Sequence, residues 1–192
     1  AILDRIEDKD FSQQFKDKII GETLFLRSYF YFDLVRYFGE VPLHIHEVEN
    51  YDGAFLPRSS TEEIYEQIES DITKSISLLQ APVFPQKGNV TQGSARMLLA
   101  KVLMTKPTRN YEEAENQLRE IMKMGYELLP NYSDIYEPSN KNHKESLFEV
   151  QFMQGDLGLE SDFIYRFIPK TSNTLNITGI THNSAPIMGS KH

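Results

Sequence analysis

The first residues whose types and spacing could support chemistry are Tyr29, Asp33 and Arg36. On a helix, this i, i+4, i+7 spacing places a phenol, a carboxylate and a guanidinium on one face. Such a face could bind a ligand, but charges within an apolar helix are usually paired, and aromatic stripes usually belong to a core. We therefore interpret Asp33 and Arg36 as a partly buried, hydrogen-bonded ion pair that fixes packing.

Two further groups of residues are similar to parts of metal or catalytic sites. His44 and His46 would share one face of a strand beside Glu47, but no third metal ligand has a suitable spacing. Glu145 and Glu149 have the helical spacing of a carboxylate pair, yet the surrounding sequence favours a strand, and we interpret both as solvated. The sequence contains no nucleophile elbow, phosphate-binding loop or zinc motif. It therefore predicts no catalytic residue, no metal and no cofactor.

These residues depend on one long helix for their positions. The sequence from Glu22 to Phe38 contains neither proline nor glycine, and Gly39 and Pro42 follow it, so we expect an uninterrupted helix. Its apolar side chains form two ridges: Phe25, Tyr29 and Phe32 on one, and Leu26, Phe30, Leu34 and Tyr37 on the other. Because a helix that is apolar on every side must be covered, we expect it at the centre of a helical array. Interspersed charges exclude a membrane span, which needs about 20 predominantly apolar residues.

Amphipathic helices follow this aromatic helix. Ser60 and Glu63 have the spacing of a capping box, and apolar residues then recur at steps of three and four as far as Leu79. Residues 91–125 predict two helices joined by a short turn, with Thr91 and Asn110 as N-caps. Their alternation of large and small apolar residues is similar to that of a tetratricopeptide unit. The predicted fold class is mainly α, with tetratricopeptide-like helical hairpins around the central aromatic helix.

The end of the chain has a different character. Polar and apolar residues alternate in the range 146–152, which predicts a strand. From Gly155 to His192 the sequence is rich in Gly, Ser, Thr, Asn and Pro, and it predicts long loops that carry short strands. We therefore predict a helical region at residues 1–155 and a loop-rich segment at residues 156–192.

Composition restricts the function. The formal net charge of −8 disfavours nucleic acid and anionic membrane surfaces as partners. The absence of cysteine excludes disulfides, thiolate chemistry and cysteine-based metal sites. The first ten residues have the pattern of an amphipathic helix and lack the basic and apolar regions of a signal peptide, so we interpret the chain as a fragment.

The chain resembles the SusD/RagB family, because several blocks of sequence occur in the family's order and spacing. These blocks are Phe25–Leu43, Pro57–Ile72, Thr91–Met104, Asn110–Met122 with Gly125–Leu128, Asn131–Tyr136 and Glu145–Phe152. The resemblance implies a lipid-anchored protein at the outer-membrane surface of Bacteroidetes, with a tetratricopeptide-like helical half and a loop-rich remainder. Family members are much longer than this chain and begin with a signal peptide and a lipidated cysteine.

The resemblance also implies a function. Family members bind oligosaccharides or other nutrients and form a lid over a SusC-like TonB-dependent transporter. We therefore expect a non-catalytic, surface-exposed outer-membrane lipoprotein that takes part in polysaccharide utilization, with its anchor outside this chain. Two alternatives stay open: a tetratricopeptide-type adaptor that binds a protein segment, and, in last place, a glycoside hydrolase.

The family's motifs identify no ligand-binding residues, because ligand contacts in the family come from variable loops. Sugar recognition needs an exposed aromatic ring for the apolar face of a pyranose, with polar donors and acceptors nearby. Two loop groups have this composition: Tyr51, Asp52 and Phe55, and Tyr165, Arg166, Asn173 and Asn176. These residues are the predicted ligand contacts, although aromatic residues in loops often serve only as local anchors.

Overall fold

The protein folds as a series of α-helices. The computed structural model describes residues 1–137 and 139–152, and their helices are α1 (Ile2–Arg5), α2 (Gln13–Phe38), α3 (Thr61–Leu78), α4 (Gln92–Thr105) and α5 (Tyr111–Met122). Short 3-10 helices lie at Asp52–Ala54 and Tyr132–Tyr136. Residues Ala1–Glu149 form one compact unit, and a second unit begins at Val150. The prediction of a mainly α fold is confirmed, and no helix in the described ranges is long and apolar enough to cross a membrane.

The predicted caps define where the helices begin. Ser60 and Glu63 form the expected capping box, since each side chain bonds the other's backbone amide, at 3.2 and 2.8 Å. Thr91 and Asn110 cap α4 and α5 through their side-chain oxygens. These bonds satisfy amides that have no partner within the helix, so side chains visible in the sequence determine the helix starts.

Helix α2 is longer than the glycine-free range 22–38, because it begins at Gln13 and continues through Gly21. Ser12 is its N-cap and accepts a hydrogen bond from the amide of Phe15 at 3.4 Å. A Cβ on Gly21 would lie 2.9 Å from Cγ of Leu79, just beyond α3. The glycine therefore permits close packing between α2 and the end of α3.

The core lies where consecutive helices meet, since α2 packs on α3, α3 on α4, and α4 on α5. Its most deeply buried large side chains are Phe25, Ile64, Ile68, Ile72 and Val102. Polar groups that enter this core are paired: the buried Ser75 hydroxyl, for example, donates to the carbonyl of Gly21 at 2.8 Å. The α4–α5 pair is the predicted helical hairpin.

Helix α2, which we expected to be covered on most sides, is covered along one ridge and exposed along the other. On the first ridge, Phe25 and Phe32 are buried and Tyr29 is half-buried. On the second ridge, the side chains are all exposed: Leu26, Phe30, Leu34 and Tyr37. The cause is the arrangement of the helices, because α3 and α4 pack on one side of α2 and no described helix covers the other.

The predicted strand at 146–152 is also not formed in the described residues. Side chains, rather than a neighbouring strand, bond this backbone: Gln86 donates to the carbonyl of Ser146 at 2.6 Å, and Ser94 donates to that of Leu147 at 2.5 Å. The ring of Phe148 packs against Phe25, with centroids 5.0 Å apart. An extended segment can therefore cover a helical core without joining a sheet. The short strands predicted for 156–192 lie outside the described residues.

Candidate functional site

The two ends of the segment between α2 and α3 are held together by a backbone hydrogen bond. Helix α2 is followed by its C-cap Gly39, whose φ of +69° is a conformation that other residues rarely adopt. The amide of Ser59 donates to the carbonyl of Val41 at 3.0 Å in an isolated antiparallel bridge. The two ends of the segment therefore lie side by side, and residues 42–58 form a closed loop, which we call the 42–58 loop.

A buried ion pair holds the first half of the 42–58 loop. The guanidinium of Arg27 on α2 donates two hydrogen bonds to the carboxylate of Asp71 on α3, at 2.6 and 2.8 Å. It also donates to the carbonyl of Ile45 at 2.8 Å, and Gln67 donates to the same carboxylate at 2.8 Å. The side chains of Arg27 and Asp71 are only 18% and 6% exposed. Because the charges are paired and further hydrogen-bonded, they fix the loop backbone to both helices.

Tyr31 provides a second anchor on α2. Its phenolic oxygen accepts a hydrogen bond from the amide of His44 at 2.7 Å and lies 3.3 Å from the carbonyl of the same residue. A half-buried tyrosine thus satisfies both backbone groups of His44. His44 therefore helps to hold the loop backbone, and no group of three His, Cys, Asp or Glu residues in the described part of the chain could hold a metal.

A third anchor connects the loop to α1 near the surface. Asp4 accepts a hydrogen bond from the amide of Glu47 at 2.9 Å, and its carboxylate lies 2.9 Å from Nδ1 of His46. These contacts, that of His46 first, lower the pKa of Asp4 from 3.8 to about 2. Arg5 donates to the carboxylate of Glu47 at 2.6 Å. The acidic neighbour of the two histidines is therefore engaged by an arginine.

Tyr51 and Phe55 form an exposed aromatic pair in the second half of the 42–58 loop. Their ring centroids are 4.8 Å apart, and the ring planes meet at 58°. Tyr51 is 78% exposed and Phe55 is 67% exposed. The 3-10 helix that begins at Asp52 separates them, and the side chain of Asn50 accepts a hydrogen bond from the amide of Gly53 at 2.8 Å. The structure thus brings two predicted residues together, with Asp52 in the turn between them.

This arrangement suits recognition. An aromatic ring with an open face can stack on the apolar face of a sugar ring, and the tyrosine hydroxyl adds a donor and an acceptor. The loop that carries the pair is fixed by the three anchors at its other end, which reduces the entropy lost on binding. The remaining predicted contacts, Tyr165, Arg166, Asn173 and Asn176, lie outside the described residues.

The group at Tyr29, Asp33 and Arg36 is structural. Arg36 is hydrogen-bonded to Asp33, as predicted, but the pair lies at the surface of α2 and is more exposed than the partly buried pair that we expected; the guanidinium lies 4.4 Å above the centroid of the Phe32 ring. Tyr29 instead packs against Phe148, with ring centroids 5.9 Å apart. The deeply buried ion pair is that of Arg27 and Asp71, which the sequence analysis did not identify because its partners lie 44 positions apart.

The interpretation of Glu145 and Glu149 as solvated side chains is wrong. Both are half-buried, and both accept hydrogen bonds from backbone amides: Glu145 from Leu129 at 2.8 Å, and Glu149 from Asn142 at 3.3 Å. A carboxylate is a strong acceptor, and a loop has backbone amides with no helix or sheet partner. The two glutamates therefore shape the segment that follows α5.

A second exposed aromatic pair was not predicted as a site. Tyr132 and Tyr136 lie on the last 3-10 helix with ring centroids 5.4 Å apart and hydroxyl oxygens 2.8 Å apart. This mutual hydrogen bond raises the pKa of Tyr136. The two tyrosines are four positions apart in the sequence, as Tyr51 and Phe55 are, and this spacing could have identified the pair. They lie within the block Asn131–Tyr136, whose residues we interpreted as packing and capping residues.

The class of this protein follows from comparison with known families. Residues 1–104 match the family SusD-like, which is described as starch-binding and associating with the outer membrane. This match covers more than half of the 192 residues, and the chain therefore belongs to the SusD-like family. The resemblance seen in the sequence is confirmed.

Individual relatives agree with this assignment. The SusD-like protein P25 of Formosa agariphila is 26% identical over 174 residues, which are 84% of this chain and 32% of the relative. A SusD-like protein from Bacteroides fragilis has a solved structure that is 32% identical, with a TM-score of 0.70 over 81% of this chain and 31% of that one. A laminarin-binding SusD-like protein is 30% identical, with a TM-score of 0.73 over 79% of this chain and 34% of that one. The chain thus spans about a third of the length of these relatives.

Proposed function

We propose that this chain is part of a non-catalytic surface protein that binds oligosaccharide and delivers it to a TonB-dependent transporter of the outer membrane. The aromatic pair Tyr51–Phe55 carries the proposal, because it is an open, two-ring platform on a loop anchored to α1, α2 and α3. Asp52, in the turn between the rings, is the proposed polar contact. Tyr165, Arg166, Asn173 and Asn176 stay predicted contacts of the same kind.

Family membership supports the substrate class. The family is described as starch-binding and associating with the outer membrane, and one structural neighbour is described as laminarin-binding. Both descriptions concern glucose polymers, whose rings offer apolar faces to aromatic side chains. Binding without catalysis is consistent with a site made of ring faces and hydrogen-bonding groups. A lipid anchor at the outer membrane and delivery to a transporter complete the proposal.

The test is calorimetric titration of the full chain with laminarin-derived and maltodextrin oligosaccharides. The double variant Tyr51→Ala/Phe55→Ala should bind about tenfold more weakly or worse, since two stacking contacts are lost. The matched control is Tyr132→Ala/Tyr136→Ala, which removes another exposed aromatic pair at the same spacing. Circular dichroism should show both variants folded, because all four rings are exposed.

Three results would contradict this proposal. Unchanged affinity in the Tyr51/Phe55 variant would exclude the aromatic pair as the site, and equal losses in both variants would indicate non-specific contact. If neither oligosaccharide binds the unaltered chain, the proposed substrate class fails for this part of the protein.

A second candidate function is a tetratricopeptide-type adaptor. The exposed second ridge of α2 favours it, because Leu26, Phe30 and Leu34 form an apolar stripe of the kind that contacts protein partners. Affinity capture from outer-membrane extracts with the unaltered chain and with Phe30→Ser separates the two functions. Loss of a captured protein together with unchanged oligosaccharide binding would support the adaptor.

A further inference from the structure

We propose that the chain has a second oligosaccharide-binding site, in a groove that shares no residue with the 42–58 loop. The groove lies between the first turns of α2, the end of α3 and the segment 80–91, and we call it the α2–α3 groove. This proposal rests on the proposed function, because it takes oligosaccharide as the ligand. It adds a site that the sequence analysis did not identify.

The α2–α3 groove is an open concavity of about 880 Å³. This volume lies within the range of small-molecule binding sites, which run from about 300 to 1,000 Å³. Apolar side chains such as Leu79 and Val90 contribute to its lining, and polar side chains contribute the rest. Apolar and polar groups share this lining in similar measure, which suits a ligand that presents both apolar ring faces and hydroxyl groups.

An aromatic pair lies at the α2 side of the groove. Phe15 lines the groove, and the ring of Phe11 packs against the ring of Phe15. The two ring centroids are 5.1 Å apart, and the ring planes meet at 57°. Both rings are exposed. The geometry is therefore similar to that of Tyr51 and Phe55, where the centroids are 4.8 Å apart at 58°. Such an open ring can stack on the apolar face of a pyranose.

Amide side chains supply the polar groups of this groove. Gln14, Gln80 and Asn89 line it, are exposed, and make no side-chain hydrogen bond within the described residues. Each carboxamide offers two donors and one acceptor, which matches vicinal sugar hydroxyls that both donate and accept. Gln14 comes from α2, while Gln80 and Asn89 come from the two ends of the segment 80–91, and all three line the same concavity.

The groove is preorganised by hydrogen bonds at its margins. The amide of Gln92 donates to the carbonyl of Gln80 at 2.9 Å, and its side chain donates to the carbonyl of Ile76 at 3.0 Å. Gln86 donates to the carbonyl of Ser146 at 2.6 Å. The segment 80–91 is therefore fixed at its ends and near its middle, so that little order has to be gained on binding.

Charge favours a neutral oligosaccharide. The charged residues that line the groove are Asp17, Lys18 and Lys87. Asp17 accepts a hydrogen bond from Gln13 at 2.8 Å, and Lys18 lies 3.9 Å from the carboxylate of Glu22. With opposite charges present and partly paired, the groove lacks the cluster of cations that a polyanionic ligand needs.

The chain contains no tryptophan, which permits a site-specific test by fluorescence. Val83→Trp places a single indole at the groove, where Val83 is 79% exposed, and Tyr51→Trp places one at the proposed first site. Met122→Trp is the control, because Met122 is equally exposed at the end of α5. Each full-chain variant is titrated with laminarin-derived and maltodextrin oligosaccharides while indole emission is recorded.

We expect saturable emission changes in the Val83→Trp and Tyr51→Trp variants and none in the Met122→Trp variant. In the Val83→Trp background, Gln14→Ala with Asn89→Ala should raise the dissociation constant about tenfold, because hydrogen bonds to the sugar are lost. Asn116→Ala on α5 should leave it unchanged. Calorimetric titration of the Gln14→Ala/Asn89→Ala variant, without any introduced tryptophan, should show fewer oligosaccharide-binding sites per chain than titration of the unaltered protein.

The outcomes separate the two proposals. A response from Tyr51→Trp without one from Val83→Trp, and an unchanged number of sites in the amide variant, overturns the groove and leaves the proposed function standing. If indole emission changes in neither the Val83→Trp nor the Tyr51→Trp variant, and calorimetry detects no heat of binding, both proposals are contradicted. A response from Val83→Trp that survives the loss of Gln14 and Asn89 also overturns the groove as described.

Discussion

The two ridges of α2 have similar compositions and opposite environments. Phe25 on the first ridge is 2% exposed, whereas Phe30 on the second is 60% exposed. Both are phenylalanines near the middle of the same helix, and both were expected in a core. The difference lies in the partners, because α3, α4 and Phe148 pack on the first side. Aromatic content therefore indicates a surface that can be covered, and tertiary packing decides whether it is.

The ion pairs of α2 divide in the same way. Arg27 is bound to Asp71 on a second helix and to a loop carbonyl, while Arg36 is bound to Asp33 on its own helix. The first pair connects three segments of the chain, and the second connects none. An ion pair that is buried and joins different segments helps to determine the tertiary structure, whereas an exposed pair within one helix contributes little to it.

The largest expected effect compares the two phenylalanines directly. Phe25→Ala should lower the free energy of unfolding by about 3–5 kcal/mol, because it leaves a cavity in the core. Phe30→Ala removes the same atoms from the exposed ridge and should change that free energy by about 0.5 kcal/mol or less. Urea denaturation of the full chain, followed by circular dichroism, measures both. Equal losses would mean that the second ridge is covered in solution.

The next effect compares the two ion pairs. Asp71→Asn should lower the free energy of unfolding by about 1.5–3 kcal/mol, because it weakens hydrogen bonds to a nearly buried guanidinium. Asp33→Asn, on the surface of α2, should cost about 1 kcal/mol or less. Exchange of the backbone amides near Ile45 should accelerate in Asp71→Asn alone, since Arg27 then holds that carbonyl less firmly. Faster exchange in both variants would contradict the distinction.

Local signals explain what could be predicted from the sequence. The capping residues Ser60, Thr91 and Asn110 act on amides three positions away, so spacing alone identified three helix starts. The exposed pair at Tyr51 and Phe55 is similarly local, and its composition was visible before its geometry.

The features that were missed depend on distant parts of the chain. Arg27 and Asp71 are on different helices, and the α2–α3 groove is assembled from α2, α3 and the segment 80–91. Periodicity also could not tell which ridge of α2 would be covered, because both have apolar residues at helical spacing. Glu145 was misjudged for the same reason, since its amide partner at Leu129 belongs to another segment.

The smallest expected effect is on thermal stability in acid, and it comes from Asp4, which anchors the 42–58 loop at the surface. The other end of the comparison is the buried anchor of the same loop at Arg27. The pKa of Asp4 is lowered to about 2 in the folded protein, so its ionised form stabilises the fold above the ordinary value of 3.8. This stabilisation is lost as the pH falls from about 3.8 through about 2. The thermal midpoint of the unaltered chain should therefore fall more steeply over that interval than the midpoint of Asp4→Asn. The control is Asp8→Asn, because Asp8 is an exposed carboxylate that makes no hydrogen bond in the described residues. Its thermal midpoint should follow that of the unaltered chain. Parallel acid profiles for all three proteins would show that the contact of Asp4 with His46 and Glu47 contributes nothing, and that Arg27 and Tyr31 hold the loop alone.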